Sequence, residues 1–153
     1  RAETEWVNGA RSKTRIESIR QAGEEVNGED RSLVLEGDEP NLLLGHDTAP
    51  NAVETVLHAL TSCLAVGFAY NAAARGIEVK SLDFDLEGDL DLRPFLGISQ
   101  EKRPGYEGIR VSYRVESDAS REQIEELCEY VQKTSPVMDI IRNPVPVEVT
   151  LKS

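Results

Sequence analysis

This chain of 153 residues has little cysteine, little histidine and few basic residues, and each shortage excludes a class of function. Two histidines and two isolated cysteines do not supply the clustered ligands of a structural zinc site. Lys and Arg number 17 against 28 Asp and Glu, and the resulting net charge of -11 repels nucleic-acid phosphates and anionic lipid head groups. The sequence therefore predicts no bound metal, and neither nucleic acid nor a membrane as a partner.

The sequence also lacks the glycine pattern of a nucleotide site. Its 11 glycines are scattered, and none opens a strand-to-helix turn in the rhythm of a phosphate loop or a dinucleotide fingerprint. We therefore expect no cofactor. Cys63 and Cys128 lie far apart in apolar, helical settings, which does not indicate a disulfide framework, so a reducing cytoplasm is the expected location.

Length and composition are those of one globular domain. Hydrophobic residues make up 39% of the chain and charged residues 29%, which is enough apolar material for one substantial core. Residues 55–74 carry no formal charge and are long enough to span a membrane, but polar side chains and several alanines make them too weakly apolar. We predict a single domain over residues 1–153 with a buried central helix.

The first third of the chain has the pattern of β-strands. Residues 4–7 precede an Asn8-Gly9 turn signal and residues 13–19 follow it, which predicts a hairpin. A third strand is predicted over residues 32–36, before the turn residues that start at Gly37.

A long helix is predicted next. It starts after Pro50, carries apolar side chains from Val53 onward at three- and four-residue steps, and ends at Gly76. Because it is apolar nearly all round from Ala59 to Ala74, it needs burial on most sides. A monomer of this size can hardly enclose such a helix, so we expect a homodimer.

The last part of the chain adds two strands, a helix and a closing strand. Residues 79–92 and 109–115 alternate apolar and polar side chains, and Ser120 to Gln123 have the form of a helix capping box. Pro136 ends or kinks that helix, and residues 145–151 are predicted to form the final strand. The order βββ-α-ββ-α-β predicts an α+β fold.

Cys63 is the centre of any chemistry that the residues suggest. On an ideal helix it shares a face with Val56, Leu60 and Gly67, an apolar surface typical of a packing cysteine. His58 lies about 140° round the helix from it, so no base is provided locally. A reactive thiol here would require an arginine from elsewhere in the fold.

A series of short motifs runs in order through nearly the whole chain. They are Asp47-Thr48-Ala49-Pro50-Asn51, Ser62-Cys63-Leu64-Ala65, Ala74-Arg75-Gly76-Ile77, Leu86-Glu87-Gly88-Asp89, Gly105-Tyr106-Glu107-Gly108-Ile109 and Ser135-Pro136-Val137. In this order they resemble the OsmC/Ohr superfamily of thiol peroxidases. The resemblance implies an intertwined α+β homodimer with long buried central helices and sites at the subunit interface.

The resemblance also implies a catalytic site. In members of the superfamily a cysteine on the central helix attacks an organic hydroperoxide as a thiolate, which an arginine and its partner glutamate hold. Cys63 matches that cysteine, and Arg11 matches the arginine, with Arg15 as the alternative. Glu54 is the candidate carboxylate, although it lies one residue closer to the cysteine than in the peroxidases, where this chain has Val53. It can equally be a charge that favours the helix dipole.

The second cysteine of those peroxidases, in a Cys-Pro motif, closes a disulfide with the first. Ser135-Pro136 stands at that position here, and a serine cannot form a disulfide. Cys128 lies on the same predicted helix face but too far back along the axis, and we expect it to be a packing residue.

Two functions follow, and the sequence leaves open whether the protein is an enzyme. One is a single-cysteine thiol peroxidase that reduces organic hydroperoxides with an external thiol reductant, in a stress response. The other is a non-enzymatic protein of the same fold that binds a small hydrophobic ligand in the dimer crevice, with Cys63 as lining.

Overall fold

The computed structural model describes residues 1–26 and 32–152. They form two compact units, Arg1–Val56 and Leu57–Ser153. Each unit has its own secondary structure and is described separately below. The expectation of one domain over the whole chain stays a prediction.

The first unit is built on a three-stranded antiparallel sheet in the order β1-β2-β5. The strands of this unit are β1 (Ala2–Asn8), β2 (Arg11–Ile16), β3 (Arg20–Gln21), β4 (Glu24–Glu25) and β5 (Leu33–Gly37). The predicted hairpin and third strand are confirmed, although β2 ends at Ile16 rather than Ile19. A short hairpin between β3 and β4 was not predicted.

Asp38 fixes the loop that leads towards the first helix. The side chain is 2% exposed, and its carboxylate accepts hydrogen bonds from the backbone N–H groups of Glu39, His46 and Thr48. The Thr48 hydroxyl donates a further bond over 2.8 Å. These hydrogen bonds, that of the hydroxyl foremost, lower the pKa of Asp38 to about 2. A charged carboxylate therefore holds both ends of the loop at neutral pH.

Helix α1 spans Ala52–Ala74, close to the predicted bounds. At its start the Asn51 side chain accepts the N–H of Glu54, and the Glu54 carboxylate accepts the N–H of Asn51, each over 2.9 Å. This reciprocal capping satisfies two groups that a helix end leaves without partners. The chain leaves the helix at Gly76, whose φ of 70° lies in the left-handed region that glycine adopts without strain.

Within the second unit, one stripe of α1 is buried and the other faces are not. Leu60, Leu64, Phe68 and Ala72 recur every fourth residue, and each is at most 1% exposed. By length and composition alone α1 could span a membrane, and in the structure this stripe forms part of the hydrophobic core of the unit. Elsewhere on the helix apolar side chains face outward, including Tyr70, which is 74% exposed.

A two-stranded antiparallel ribbon packs against this core. Its strands are β6 (Val79–Asp89) and β7 (Gly108–Ser117), and the short helix α2 (Leu92–Phe95) lies in the connection between them. As predicted, Leu82, Phe84 and Leu86 share one face of β6, and this face packs on the core. Phe84 pairs with Tyr113 across the ribbon, with ring centroids 4.8 Å apart.

Two helices follow, α3 (Arg121–Thr134) and α4 (Pro136–Arg142). The predicted capping box is confirmed, because Ser120 and Gln123 exchange side-chain hydrogen bonds with each other's backbone. Leu127 and Val131 of α3 are buried in the core. The chain turns between the two helices at the single residue Ser135.

The predicted closing strand over residues 145–151 does not form. No strand is present between residues 143 and 152, and every second side chain there is apolar and exposed. These side chains are Val145, Val147, Val149 and Leu151, at 48%, 78%, 89% and 96% exposure. A strand needs a neighbour for its N–H and C=O groups, and no such pairing is seen for this segment within the described residues.

Candidate functional site

A hydrogen bond joins Cys63 on α1 to Ser135 between α3 and α4. The Ser135 hydroxyl donates to the Cys63 sulfur over an Oγ to Sγ distance of 3.1 Å. The same oxygen accepts the backbone N–H of Met138 over 3.2 Å, so its lone pair is engaged and its proton is free for the sulfur. Ser135 is only 5% exposed, and Cys63 is partly buried.

The local sequence explains why the hydroxyl stands at this place. The Ser135 N–H bonds the Val131 carbonyl at the end of α3, and its side chain caps the start of α4. Pro136 follows at the first helical position, where a backbone N–H would have no partner within the helix, so the N–H that proline lacks is not needed. The backbone of Ser135 is thus held at the end of α3, and the bond from Met138 at the start of α4 holds the side-chain rotamer that contacts Cys63.

This geometry supplies a hydroxyl donor to the Cys63 sulfur but no partner for a disulfide. A hydroxyl donor stabilises a thiolate more than a thiol, and more strongly where water is excluded. Serine offers no sulfur with which oxidised Cys63 could pair. The sequence placed Ser135 at the position of a resolving cysteine, and the structure brings that position next to Cys63.

Cys128 has different surroundings. Burial raises the pKa of its thiol, and the Glu125 carboxylate raises it further. Its backbone carbonyl accepts the side-chain N–H of Gln132 over 3.2 Å. Cys128 lies two turns of α3 before Ser135, which is about 10 Å along the axis. The thiol is therefore neutral at physiological pH, and neither cysteine is in a disulfide.

The predicted charged partners of Cys63 all lie in the Arg1–Val56 unit. Glu54 is exposed and caps α1 through its bond to Asn51. Arg11 opens β2 and is partly buried, whereas Arg15 is exposed on the same strand. The pairing of either arginine, or of Glu54, with Cys63 stays a prediction.

The remaining candidates for chemistry lie away from the sulfur. His58 is exposed, and its Nε2 lies 3.4 Å from the hydroxyl of Ser62, one turn further along α1. Across residues 1–26 and 32–152, no group of three His, Cys, Asp or Glu side chains is arranged to hold a metal ion. The chemistry of the second unit therefore centres on Cys63 and Ser135.

Sequence comparison finds one matching family. Its sequence model, described as OsmC-like protein, matches residues 45–150. The match includes Cys63, Cys128 and Ser135, and it starts after Arg11 and Arg15. No curated protein matches the chain.

Solved structures with a similar fold share little sequence with this chain. An OsmC-like protein from Mycoplasma pneumoniae is 14% identical, with a TM-score of 0.68, over 94% of this chain and 87% of its own. An organic hydroperoxide resistance protein OsmC from Legionella pneumophila is 15% identical, with a TM-score of 0.58, over 93% and 89%. An OsmC-like hydroperoxide resistance protein from Jannaschia sp. CCS1 is 15% identical, with a TM-score of 0.55, over 98% and 89%. At these identities the likeness is one of fold.

Proposed function

Because this chain belongs to the OsmC-like protein family, we propose that it is a single-cysteine thiol peroxidase that reduces organic hydroperoxides. The observation that carries this proposal is the hydrogen bond from Ser135 to the Cys63 sulfur. This hydrogen bond supports a thiolate at Cys63. Because its donor is a serine, that thiolate has no second thiol beside it. Two proteins of similar fold are named for hydroperoxide resistance, which agrees with this function.

The reaction needs two external thiols for each hydroperoxide. The Cys63 thiolate attacks the outer peroxide oxygen, the O–O bond breaks, and the alkoxide that leaves takes a proton to become an alcohol. Cys63 is then a sulfenic acid, which condenses with one external thiol to a mixed disulfide and releases water. A second external thiol attacks that disulfide, releases the Cys63 thiolate and leaves as the external disulfide.

The proposed mechanism also uses charged groups at the thiolate. Arg11, or Arg15 in its place, supplies the guanidinium that faces the thiolate, and a fixed positive charge suits this role. Glu54 orients the guanidinium with the carboxylate oxygen that does not cap Asn51. The proposed location is the cytoplasm, where low-molecular-weight thiols are kept reduced.

The proposed assembly is a homodimer. The exposed apolar faces of α1 and the alternating side chains of residues 145–151 are surfaces that a second copy of the chain would cover. A strand over residues 145–151 would then gain the partner that it lacks in one chain. Sedimentation equilibrium is expected to give twice the chain mass.

The function is tested by the consumption of cumene hydroperoxide with dihydrolipoamide, and separately with a monothiol. We expect turnover by the wild-type protein and by Cys128→Ser, which removes the neutral thiol. The two turnover rates should agree within about a factor of two. Cys63→Ser should have no turnover, because serine cannot form the sulfenic acid.

An absence of turnover by the wild-type protein with either reductant would overturn the peroxidase. That result would favour the second function, the binding of a small hydrophobic ligand in the dimer crevice. Equal loss in Cys63→Ser and Cys128→Ser would contradict the single-cysteine mechanism and require both thiols.

A further inference from the structure

A cavity of about 510 Å³ lies within the Leu57–Ser153 unit, and Cys63 does not line it. Helix α1 contributes Leu60 and Leu64, both fully buried, and β7 contributes Val111. Helix α3 adds Cys128 to the wall. The volume falls within the range of roughly 300–1,000 Å³ that is usual for small-molecule sites. The cavity is thus large enough for a ligand and separate from the proposed catalytic thiol.

The inner polar groups of the cavity wall carry no charge. Tyr113 lines the cavity, and its hydroxyl is shut off from solvent without a hydrogen-bond partner among the described residues. Burial raises the pKa of Tyr113 to about 12, so the phenol keeps its proton at neutral pH. The Cys128 thiol is neutral for the same reason. The inner part of the cavity wall is therefore uncharged and suits the apolar part of a ligand.

The charge of the cavity wall is opposite to that of the whole chain. Arg142, the last residue of α4, is the one charged residue among the described residues that line the cavity, and no Asp or Glu is among them. It is exposed, so its guanidinium lies at the mouth, and no ion pair is seen for it in residues 1–26 and 32–152. The Arg142 guanidinium is therefore the group of the cavity wall that can pair with an anion.

We infer that this cavity binds a small amphipathic carboxylate. The apolar chain of the ligand lies against Ile109, Val111 and Ile141, and the carboxylate pairs with the Arg142 guanidinium at the mouth. The ligand remains non-covalently bound, because the neutral Cys128 thiol is a poor nucleophile. The inference does not depend on turnover at Cys63.

Titration calorimetry with decanoate tests the role of the charge. We expect decanoate to bind the wild-type protein and Arg20→Gln, which makes the same charge change on an exposed residue of the other unit. Arg142→Gln should weaken binding roughly 10- to 100-fold, as expected for the loss of a charge-assisted contact. Binding of decanol, which lacks the charge, should be the same in all three proteins. No binding of decanoate to the wild type, or equal binding to Arg142→Gln, would overturn the inference.

A second measurement tests the location of the ligand. In Cys63→Ser the only thiol is Cys128, and saturating decanoate should slow its labelling by a small maleimide. Val111→Phe, which narrows the cavity, should weaken the binding of decanoate and decanol. Unchanged labelling of Cys128 in the presence of bound decanoate would place the ligand elsewhere, whether or not Val111→Phe folds. Neither result depends on hydroperoxide consumption, so this inference and the proposed function can fail separately.

Discussion

The two thiols of the chain lie on two helices of the Leu57–Ser153 unit in opposite surroundings. The sulfur of Cys63 on α1 accepts a hydrogen bond from the Ser135 hydroxyl, with 3.1 Å between Oγ and Sγ. Cys128 on α3 lines an apolar cavity, and burial raises the pKa of its thiol. The first setting supplies a hydrogen-bond donor to the sulfur, and the second keeps the thiol neutral. Partial burial is common to both, so the polar neighbour, rather than exposure, distinguishes the two cysteines.

The largest expected effect comes from Ser135→Cys, which would place a second thiol next to Cys63. A sulfur at this position lies within reach of Cys63, so one equivalent of cumene hydroperoxide should produce an internal disulfide instead of a stable sulfenic acid. Intact-mass measurement should show the loss of two hydrogens, and dimedone, which traps sulfenic acid in the wild type, should no longer react. The same change with Cys128→Ser excludes the native second thiol. Continued dimedone labelling of the variant would contradict the geometry.

A smaller effect is expected from Ser135→Ala, which makes the surroundings of Cys63 more like those of Cys128. Removal of the hydroxyl donor should slow alkylation of Cys63 by iodoacetamide at neutral pH roughly tenfold, because the thiolate loses a charge-assisted hydrogen bond. Peptide mapping measures both cysteines in one sample, and the rate at Cys128 should not change. Ser135→Thr, which keeps a hydroxyl, should restore most of the rate.

Ser135→Ala also removes a helix cap, so it needs a matched control. Ser120→Ala removes the corresponding cap of α3 without removing a group bonded to either thiol. Its alkylation rates should equal those of the wild type. If Ser120→Ala slows Cys63 as much as Ser135→Ala does, a general loss of helix stability explains the effect and the hydroxyl has no particular role.

The smallest effect is expected near Cys128, from Tyr113→Phe. At neutral pH this change removes a buried hydroxyl without a partner, so the free energy of unfolding should stay within about 1 kcal/mol of the wild type. The pKa of Tyr113 is about 12 in the fold against 10.0 for an ordinary tyrosine, so the unfolded chain loses this proton first. Wild-type stability should therefore fall as the pH rises from about 10 to about 12.

In Tyr113→Phe the free energy of unfolding should not show this decrease between about pH 10 and about pH 12. Urea unfolding at neutral pH and at about pH 11 measures the difference. Tyr70→Phe is the matched control, because Tyr70 is 74% exposed and its removal should leave the pH dependence unchanged. Equal pH dependence in Tyr113→Phe and the wild type would show that the phenol is not held in its neutral form.

The elements that the sequence predicted well are those with local signals. Asn51 and Glu54 start α1, Gly76 ends it, and the capping box at Ser120 starts α3, all from residues within one turn of the helix end. Strand β6 was predicted because its side chains alternate between apolar and polar, as expected for a strand with one face on the core. The β3–β4 hairpin was missed because Ala22, which is not a usual turn residue at positive φ, adopts a φ of 52°.

Contacts between distant residues could not be predicted in this way. Cys63 and Ser135 are 72 positions apart, and only the packing of α1 against the α3–α4 turn joins them. The resemblance to a known family identified both positions but not the bond between them. Residues 145–151 have the alternation of a strand, yet a pattern does not say which chain would supply the neighbouring strand. The cavity wall likewise draws on three helices and a strand.

The ring of Tyr106, which lines the cavity, lies against the backbone of Gly88 in β6. A Cβ atom at position 88 would come within 2.6 Å of that ring, which is closer than real carbon contacts allow. Position 88 and position 106 therefore cannot vary independently during evolution. In relatives that keep an aromatic ring at position 106 we expect glycine at 88, and in relatives with a larger residue at 88 the ring should be replaced. Such relatives would have a differently shaped cavity and, with it, a different choice of ligand.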